Sequence, residues 1–253
     1  MSASGRSMVL LALLLGALGC PKELPQDLPP EELYRIGREN FDRGRWNRAI
    51  EAFQRFIFQD PGNVKADSAL YLTAESYFNQ KQYLTAASEF LRLAQNRPAG
   101  PLADDSRYRA CESYVKLSPR PELDQEYTDE AIDQCRSVVL LYPGSPFAEQ
   151  AAERSRELTD KLARKTFLNA RYYYKRKAYD SAIVYLEHLL KTYRGASVEP
   201  EALLMLYETY MKLGYVQEAD ETRARLLGEY GETPQAKELE KVSRPAASDA
   251  GSQ

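Results

Sequence analysis

The feature that most constrains this chain is a recurring alanine. The segments Arg48-Ala49-Ile50-Glu51-Ala52-Phe53, Thr85-Ala86-Ala87-Ser88-Glu89-Phe90 and Ser181-Ala182-Ile183-Val184-Tyr185-Leu186 follow one pattern. Asp129-Glu130-Ala131-Ile132 and Gln217-Glu218-Ala219-Asp220 extend it. Each Ala comes a few residues after a polar or Gly-containing turn and leads into an amphipathic run, which ends at Pro61, Pro98 and Pro143 in the first three copies. Self-similarity at a period of tens of residues marks a fold built by stacking one supersecondary unit on the next. Ahead of the Ala stands a small residue, at Gly37, Ala74, Cys111 and Ala170, and a bulky aromatic follows that residue at Tyr77, Tyr114, Tyr173 and Tyr210. Where two antiparallel helices approach most closely only Gly, Ala or Cys fits, and large residues fill the flanks. The fifth copy departs from the pattern, with Tyr207 at the small position. The expected fold is all-α, an α-solenoid of about five helical hairpins with the fifth acting as a cap.

This pattern resembles the tetratricopeptide repeat (TPR), a helical hairpin of about 34 residues. The Ala-to-Ala strides are 37, 45, 51 and 37. Tyr34, Tyr71 and Tyr108 keep equal strides of 37, so the excess of the third copy falls after its first helix, in Leu117 to Tyr127. Pro119 and Pro121 mark a loop there. The larger excess precedes the fourth copy. Ser145 can cap a helix with Pro146 at its first position, and no Gly or Pro follows until Gly195. The chain must nevertheless turn near Lys177 to Tyr179. One continuous helix from about Pro146 to Arg176, roughly 45 Å long, is expected to link repeats three and four.

Ahead of the repeats, Met1 to Ser7 is polar with one positive charge, and Met8 to Leu18 is an uncharged apolar run. A dozen apolar residues are too few to span a bilayer and fit the core of a secretory signal. The stretch Ala17-Leu18-Gly19-Cys20 resembles the bacterial lipobox, which implies lipidation at Cys20 and anchoring by several acyl chains. Ala17 stands where that family prefers Leu. Pro21, rather than Asp, follows the Cys, which under the same resemblance points to the outer membrane. Pro21, Pro25, Pro29 and Pro30 would make a stiff spacer reaching roughly 30 Å. The expected division is a signal segment over 1–19, a lipidated Cys and tether over 20–30, a front half of three repeats over 31–145, a long helix and back half over 146–242, and a disordered tail over 243–253.

Composition narrows the function. The chain carries 34 Lys plus Arg against 37 Asp plus Glu, a poor balance for a nucleic-acid binder. One His excludes a multi-His metal site, and no glycine-rich phosphate loop occurs. No catalytic motif, metal or cofactor is expected. His188 reads as structural or exposed. The 18 Tyr are the notable resource.

Stacked hairpins present a concave face lined by the first helix of each pair. The groove positions fall on Tyr34, Arg38 and Phe41, on Tyr71, Glu75 and Phe78, and on Tyr108, Glu112 and Val115. Residues seven apart share one helix face, which would give an aromatic strip bordered by Arg38, Lys65 and Arg107. Such a groove suits an extended peptide with aromatic side chains and a terminal carboxylate; each aromatic also fits the hairpin core. In the back half, Tyr172, Tyr173 and Tyr174 cannot all face inward at about 100° per residue. Tyr173 matches the core position, leaving Tyr172 and Tyr174, flanked by Arg171, Lys175 and Arg176, for solvent or a partner. Cys111 and Cys135 lie in one repeat about a turn out of register, so two small buried thiols are expected in preference to a disulfide.

Taken in order, the lipobox Cys, Pro-rich tether, five TPR-like hairpins and linking helix resemble the BamD family, lipoproteins of the outer-membrane β-barrel assembly machine. Leu141-Tyr142-Pro143-Gly144-Ser145, Ala170-Arg171-Tyr172-Tyr173-Tyr174, and Tyr34 to Ala49 with its Gly44-Arg45-Trp46 turn carry the likeness, which covers about residues 17–235. The resemblance implies an adapter rather than an enzyme, lipid-anchored in the outer membrane and facing the periplasm. Its N-terminal repeats would receive C-terminal segments of unfolded outer-membrane proteins. Its C-terminal repeats would dock a BamA-like barrel subunit beside other assembly lipoproteins. Tyr172 and Tyr173 match family positions near that contact, and Tyr185 stands where the family can carry a basic residue. The rival reading is a TPR lipoprotein of another envelope machine, serving pilus-secretin assembly or cell-wall and division coordination.

Overall fold

The structure, a computed structural model, describes residues 24–243; the signal segment, Cys20 and the tail beyond residue 243 lie outside them. The described residues form eleven helices and no strand: α1 (Pro30–Asp42), α2 (Trp46–Gln59), α3 (Ala66–Asn79), α4 (Tyr83–Asn96), α5 (Ala103–Leu117), α6 (Glu126–Leu141), α7 (Ala148–Lys175), α8 (Tyr179–Thr192), α9 (Glu199–Leu213), α10 (Val216–Tyr230) and α11 (Pro234–Ser243). Each of the first ten packs on the next in chain order, giving five stacked hairpins.

The recurring Ala49, Ala86, Ala131, Ala182 and Ala219 are all fully buried. The small residue on each first helix faces the side chain one turn beyond that Ala. A Cβ added to Gly37 would lie 2.5 Å from the Phe53 ring. Ala74 shares a buried cluster with Phe90, and Ala170 shares one with Leu186. In the third hairpin both partners are Cys. Cys111 and Cys135 approach to a Cα–Cα distance of 4.9 Å and form a disulfide, which corrects the expectation of two free thiols. The one-turn offset counted from Ala131 is the register of closest approach itself.

Four hairpins close through one turn. A residue one or two past the end of the first helix adopts a left-handed backbone: Gly44 (φ 68°), Lys81 (φ 63°), Lys177 (φ 59°) and Gly214 (φ 79°). The next N–H then donates to a carbonyl five residues back, Arg45 to Asn40 at 2.8 Å, Gln82 to Tyr77 at 3.0 Å, Ala178 to Tyr173 at 3.1 Å and Tyr215 to Tyr210 at 3.0 Å. The third hairpin has a longer loop, held from outside. Lys161 Nζ on α7 donates to Ser118 Oγ at 2.7 Å and to the Pro119 carbonyl, and Lys165 Nζ donates to the Leu123 carbonyl at 2.7 Å.

The 28 residues of α7 extend about 42 Å and serve both halves. Leu158 and Leu162 bury against Ala131 and Ile132 of α6. Ala163, Phe167 and Ala170 join the cluster of α8 to α11. The helix starts at Ala148, two residues later than Ser145 and Pro146 suggest; Ser145 Oγ accepts from the Phe147 N–H at 3.2 Å in the preceding turn.

Two ends differ from expectation. The fifth repeat is not the cap: α11 is, burying Ala236 and Leu239 completely in the same cluster. The described part of the Pro-rich segment belongs to the fold. Leu24 is buried, Leu28 packs beside Leu33, Phe53 and Phe56, and the Arg55 guanidinium donates to the carbonyls of Leu24 (3.2 Å), Pro25 (2.6 Å) and Gln26 (2.9 Å).

Two outcomes follow. Lys81→Gly is expected to raise stability by about 1 kcal/mol, because a left-handed residue with a Cβ is strained by roughly that amount; a lower denaturant midpoint would contradict the turn geometry. Reducing the disulfide, which spans 24 residues, is expected to cost about 3 kcal/mol. Cys111→Ala with Cys135→Phe, which installs the small–large pair of the second hairpin, should make the unfolding midpoint insensitive to reductant.

Candidate partner-binding surfaces

The front face is built by α1, α3 and α5. Tyr34 lies over α2, with ring centroids 5.8 Å from Phe53 and 5.3 Å from Phe56. Lys65 Nζ sits 5.1 Å from the Tyr34 ring centre and 2.5 Å from Glu31. Tyr71 contacts Phe90 at 5.4 Å and donates its hydroxyl to Asp105 Oδ2 of the next repeat at 2.9 Å. Burial first, and the nearby Glu75 and Asp105 charges next, hold the Tyr71 hydroxyl above its ordinary range; burial also raises the Asp105 carboxyl.

Glu75 is engaged as well. It accepts two hydrogen bonds from Arg109, one of them Nη2 to Oε2 at 2.8 Å. The same guanidinium lies 4.1 Å above the Phe78 ring. Arg109, which the repeat pattern did not single out, is thus the hub of the second and third repeats. Tyr108 is only 9% exposed and stacks on Phe147 at 5.1 Å. Arg107 turns away to Gln134 Oε1 at 3.3 Å.

The expected strip is therefore divided. Tyr108 belongs to the core, a correction whose physical reason is that one helix face serves both the groove and the next helix. Tyr34 and Tyr71 are half-buried walls, and Glu75 is spent on Arg109. The rim is Arg38, exposed and 3.6 Å from Asp42, with Phe41, edge-on to Trp46 at 5.3 Å, and Phe78, edge-on to Tyr83 at 5.1 Å, half-buried like the two tyrosines.

At the end of α7 the three tyrosines separate. Tyr172 is 53% exposed, with the Arg176 guanidinium 4.6 Å above its ring. Tyr173 meets Tyr172 edge-on at 5.4 Å and stacks on Tyr185 of α8 at 5.3 Å, with planes 15° apart; it is half-buried rather than core. Tyr174, expected to be free, points to α9 and donates to Glu208 Oε2 at 2.7 Å, where burial and that carboxylate raise its hydroxyl above the ordinary range. Arg171 is exposed beside them. Tyr172, Tyr173, Tyr185, Arg171 and Arg176 thus form one open aromatic and cationic patch.

Periodicity did not foresee a cleft of about 830 Å³ where α6, the first half of α7 and the α8–α9 turn meet, lined by Val139, Leu140, Arg136, Arg156 and Arg194 among others. His188 is exposed on α8, edge-on to Tyr193. Among the described residues no group of acidic, Cys or His side chains is placed to hold a metal ion, and no helix is long and apolar enough to cross a membrane.

Comparison with known proteins gives a consistent picture. The model of the YfiO family, described as outer membrane lipoprotein, matches residues 26–226. A protein of Caulobacter vibrioides named outer membrane protein assembly factor BamD is 29% identical over 231 residues, which cover 88% of this chain and 76% of the relative. The protein of that name from Rickettsia prowazekii is 28% identical over 214 residues, covering 84% and 85%. Among solved structures, a TPR repeats protein from Bacteroides fragilis aligns at 12% identity with a TM-score of 0.47, over 85% of this chain and 97% of its own.

The geometry separates structural from accessible residues in a measurable way. Arg109→Met strands the Glu75 carboxylate, only 14% exposed, and is expected to cost about 2 kcal/mol or more by thermal unfolding. Tyr172→Ser should change stability by less than about 0.5 kcal/mol. Equal losses in the two variants would put Tyr172 back among the packing residues.

Proposed function

The chain belongs to the YfiO family of outer membrane lipoproteins, and on that premise we propose that it is an outer membrane protein assembly factor that works as a two-ended adapter. The relatives' name supports the role in assembly; the division of labour is our reading of the surfaces. Lipidated Cys20 anchors the protein to the outer membrane, with the repeats facing the periplasm. The front rim of Arg38, Phe41 and Phe78, backed by Tyr34 and Tyr71, receives the C-terminal segment of an unfolded outer-membrane protein, the rings taking apolar side chains and Arg38 the carboxylate. The patch of Tyr172, Tyr173 and Tyr185 with Arg171 and Arg176 docks the periplasmic part of a BamA-like barrel subunit, beside other assembly lipoproteins.

One observation carries this reading. Tyr172 is 53% exposed, with the Arg176 guanidinium over its ring and Tyr173 edge-on to it, the kind of anchor that dominates protein interfaces. It sits at the end of a helix whose first half packs on the third hairpin, so the patch is joined to the front repeats through that hairpin.

Tyr172→Ala with Arg176→Ala is expected to weaken capture of the barrel subunit about tenfold or more with an unchanged circular dichroism spectrum. Arg38→Ala with Phe41→Ala should weaken binding of a synthetic peptide ending in Phe with a free carboxylate, while its C-terminal amide already binds the parent protein poorly. Unchanged capture by the first variant, or equal binding of acid and amide peptides, would remove the corresponding end of the adapter.

A further inference from the structure

Phe58 is 88% exposed and Val64 is 92% exposed. Both lie at the C-terminal end of the first hairpin, one in the last turn of α2 and the other in the α2–α3 connection. Phe58 shares a surface hollow with Leu24, Gln26, Glu51, Arg55 and Gln59. Arg55 and Phe58 are three apart, so they stand on one face of the helix. The exposed ring is therefore beside the place where Arg55 grips the carbonyls of Leu24, Pro25 and Gln26.

This position matters because of the chain length left over. Only four residue steps separate Leu24 from Cys20, which at most about 3.6 Å each span no more than roughly 14 Å. A free spacer of ten residues would let the solenoid tumble at a distance from its anchor. The Arg55 clamp shortens the leash to less than half and fixes which end of the molecule hangs from it. An anchor at Cys20 then brings the end of α2 to the depth of the headgroups, where a large apolar ring gains free energy by entering the interface.

We propose that Phe58, with Val64, is a lipid-contacting foot that sets the orientation of the solenoid against the membrane, and that Arg55 is the positioning residue that aims it. This rests on the lipid anchor at Cys20 proposed above. The contact is apolar: Glu51 and Asp60 lie on the same stretch, so it forms on zwitterionic lipid and gains nothing from anionic headgroups.

The test imposes attachment chemically, so that it does not depend on lipidation in a cell. Cys111 and Cys135 are bonded to each other, leaving Cys20 as the one thiol of the mature chain able to couple to a maleimide lipid in phosphatidylcholine vesicles. Trp46, the single Trp, lies at the opposite end of α2 and supplies the baseline. In Phe58→Trp the added emission is expected to shift to the blue and to fall at least about twofold with brominated lipid, while the parent protein's Trp46 emission stays nearly unquenched. Arg55→Ala in the same background should restore most of the added emission with attachment unchanged. Added emission that is solvent-like and unquenched would overturn the foot, and quenching that survives Arg55→Ala would overturn the clamp. Separately, release of Cys20→Ser from the membrane fraction of cells tests the anchor itself, so the two readings fail independently.

Discussion

The close approach of two antiparallel helices at a residue with almost no side chain is the contact on which the rest of this molecule depends. At Gly37 the ring of Phe53 occupies the space a side chain would need. That fit sets the distance between the two helices of a hairpin and the register along them. It also decides which residues fall on the flanks. The tyrosines of the first helices, the turn geometry and the face presented to the neighbouring hairpin all follow. The third hairpin reaches the same closeness by a covalent route, with Cys111 and Cys135 in the two places.

Between hairpins, the order is set by polar side chains that reach to the next first helix. Lys65 meets Glu31, Tyr71 meets Asp105, Arg109 meets Glu75, Arg154 meets Glu112, Arg164 meets Glu201 and Tyr174 meets Glu208. The exposed ion pairs among them add little to stability one at a time. The larger effect of the whole set is to spend the charged and phenolic groups of the inner face on the fold itself. What remains open is small and separated: the Arg38 rim at one end of the stack and the Tyr172 patch beyond the middle. The long α7 carries buried residues of the third hairpin and of the back half, so one helix ties the Tyr172 patch to the third hairpin, and the stacked hairpins before it carry the link on to the Arg38 rim.

Much of the architecture was legible in the chain because it rests on short-range rules. Buried alanines, small residues at the close contact, the two extra lengths of chain and the continuous linking helix each leave a local mark. The parts misread depend on partners far away in sequence. Tyr174 looks free until Glu208 arrives from α9. Tyr108 looks like a groove residue until Phe147 covers it. The Pro-rich segment reads as a spacer, since nothing near it announces that Arg55 will grip its carbonyls. The turns at Lys81 and Lys177 were legible but their left-handed backbone was not, because neither residue is the Gly that such a backbone prefers. The disulfide was missed for a subtler reason: the partner of the small residue lies one turn past the alanine that marks the repeat, and only Phe53 and Phe90 in the earlier copies reveal that offset. The helix α11 carries no repeat signature at all, because a cap needs one apolar face and nothing more.

The paired cysteines also give the solenoid a history. In a repeat stack, stability is roughly a sum of terms for each unit and each junction, so the middle hairpin decides whether the two halves act together. While its thiols are free, that hairpin is closed only by two small side chains where its neighbours use a Phe or a Leu. On the periplasmic location proposed above, the chain is made under reducing conditions and oxidised after export, so the stack is weakest at its centre during transit and is welded there on arrival. Maturation of this fold is then a matter of place as well as of sequence.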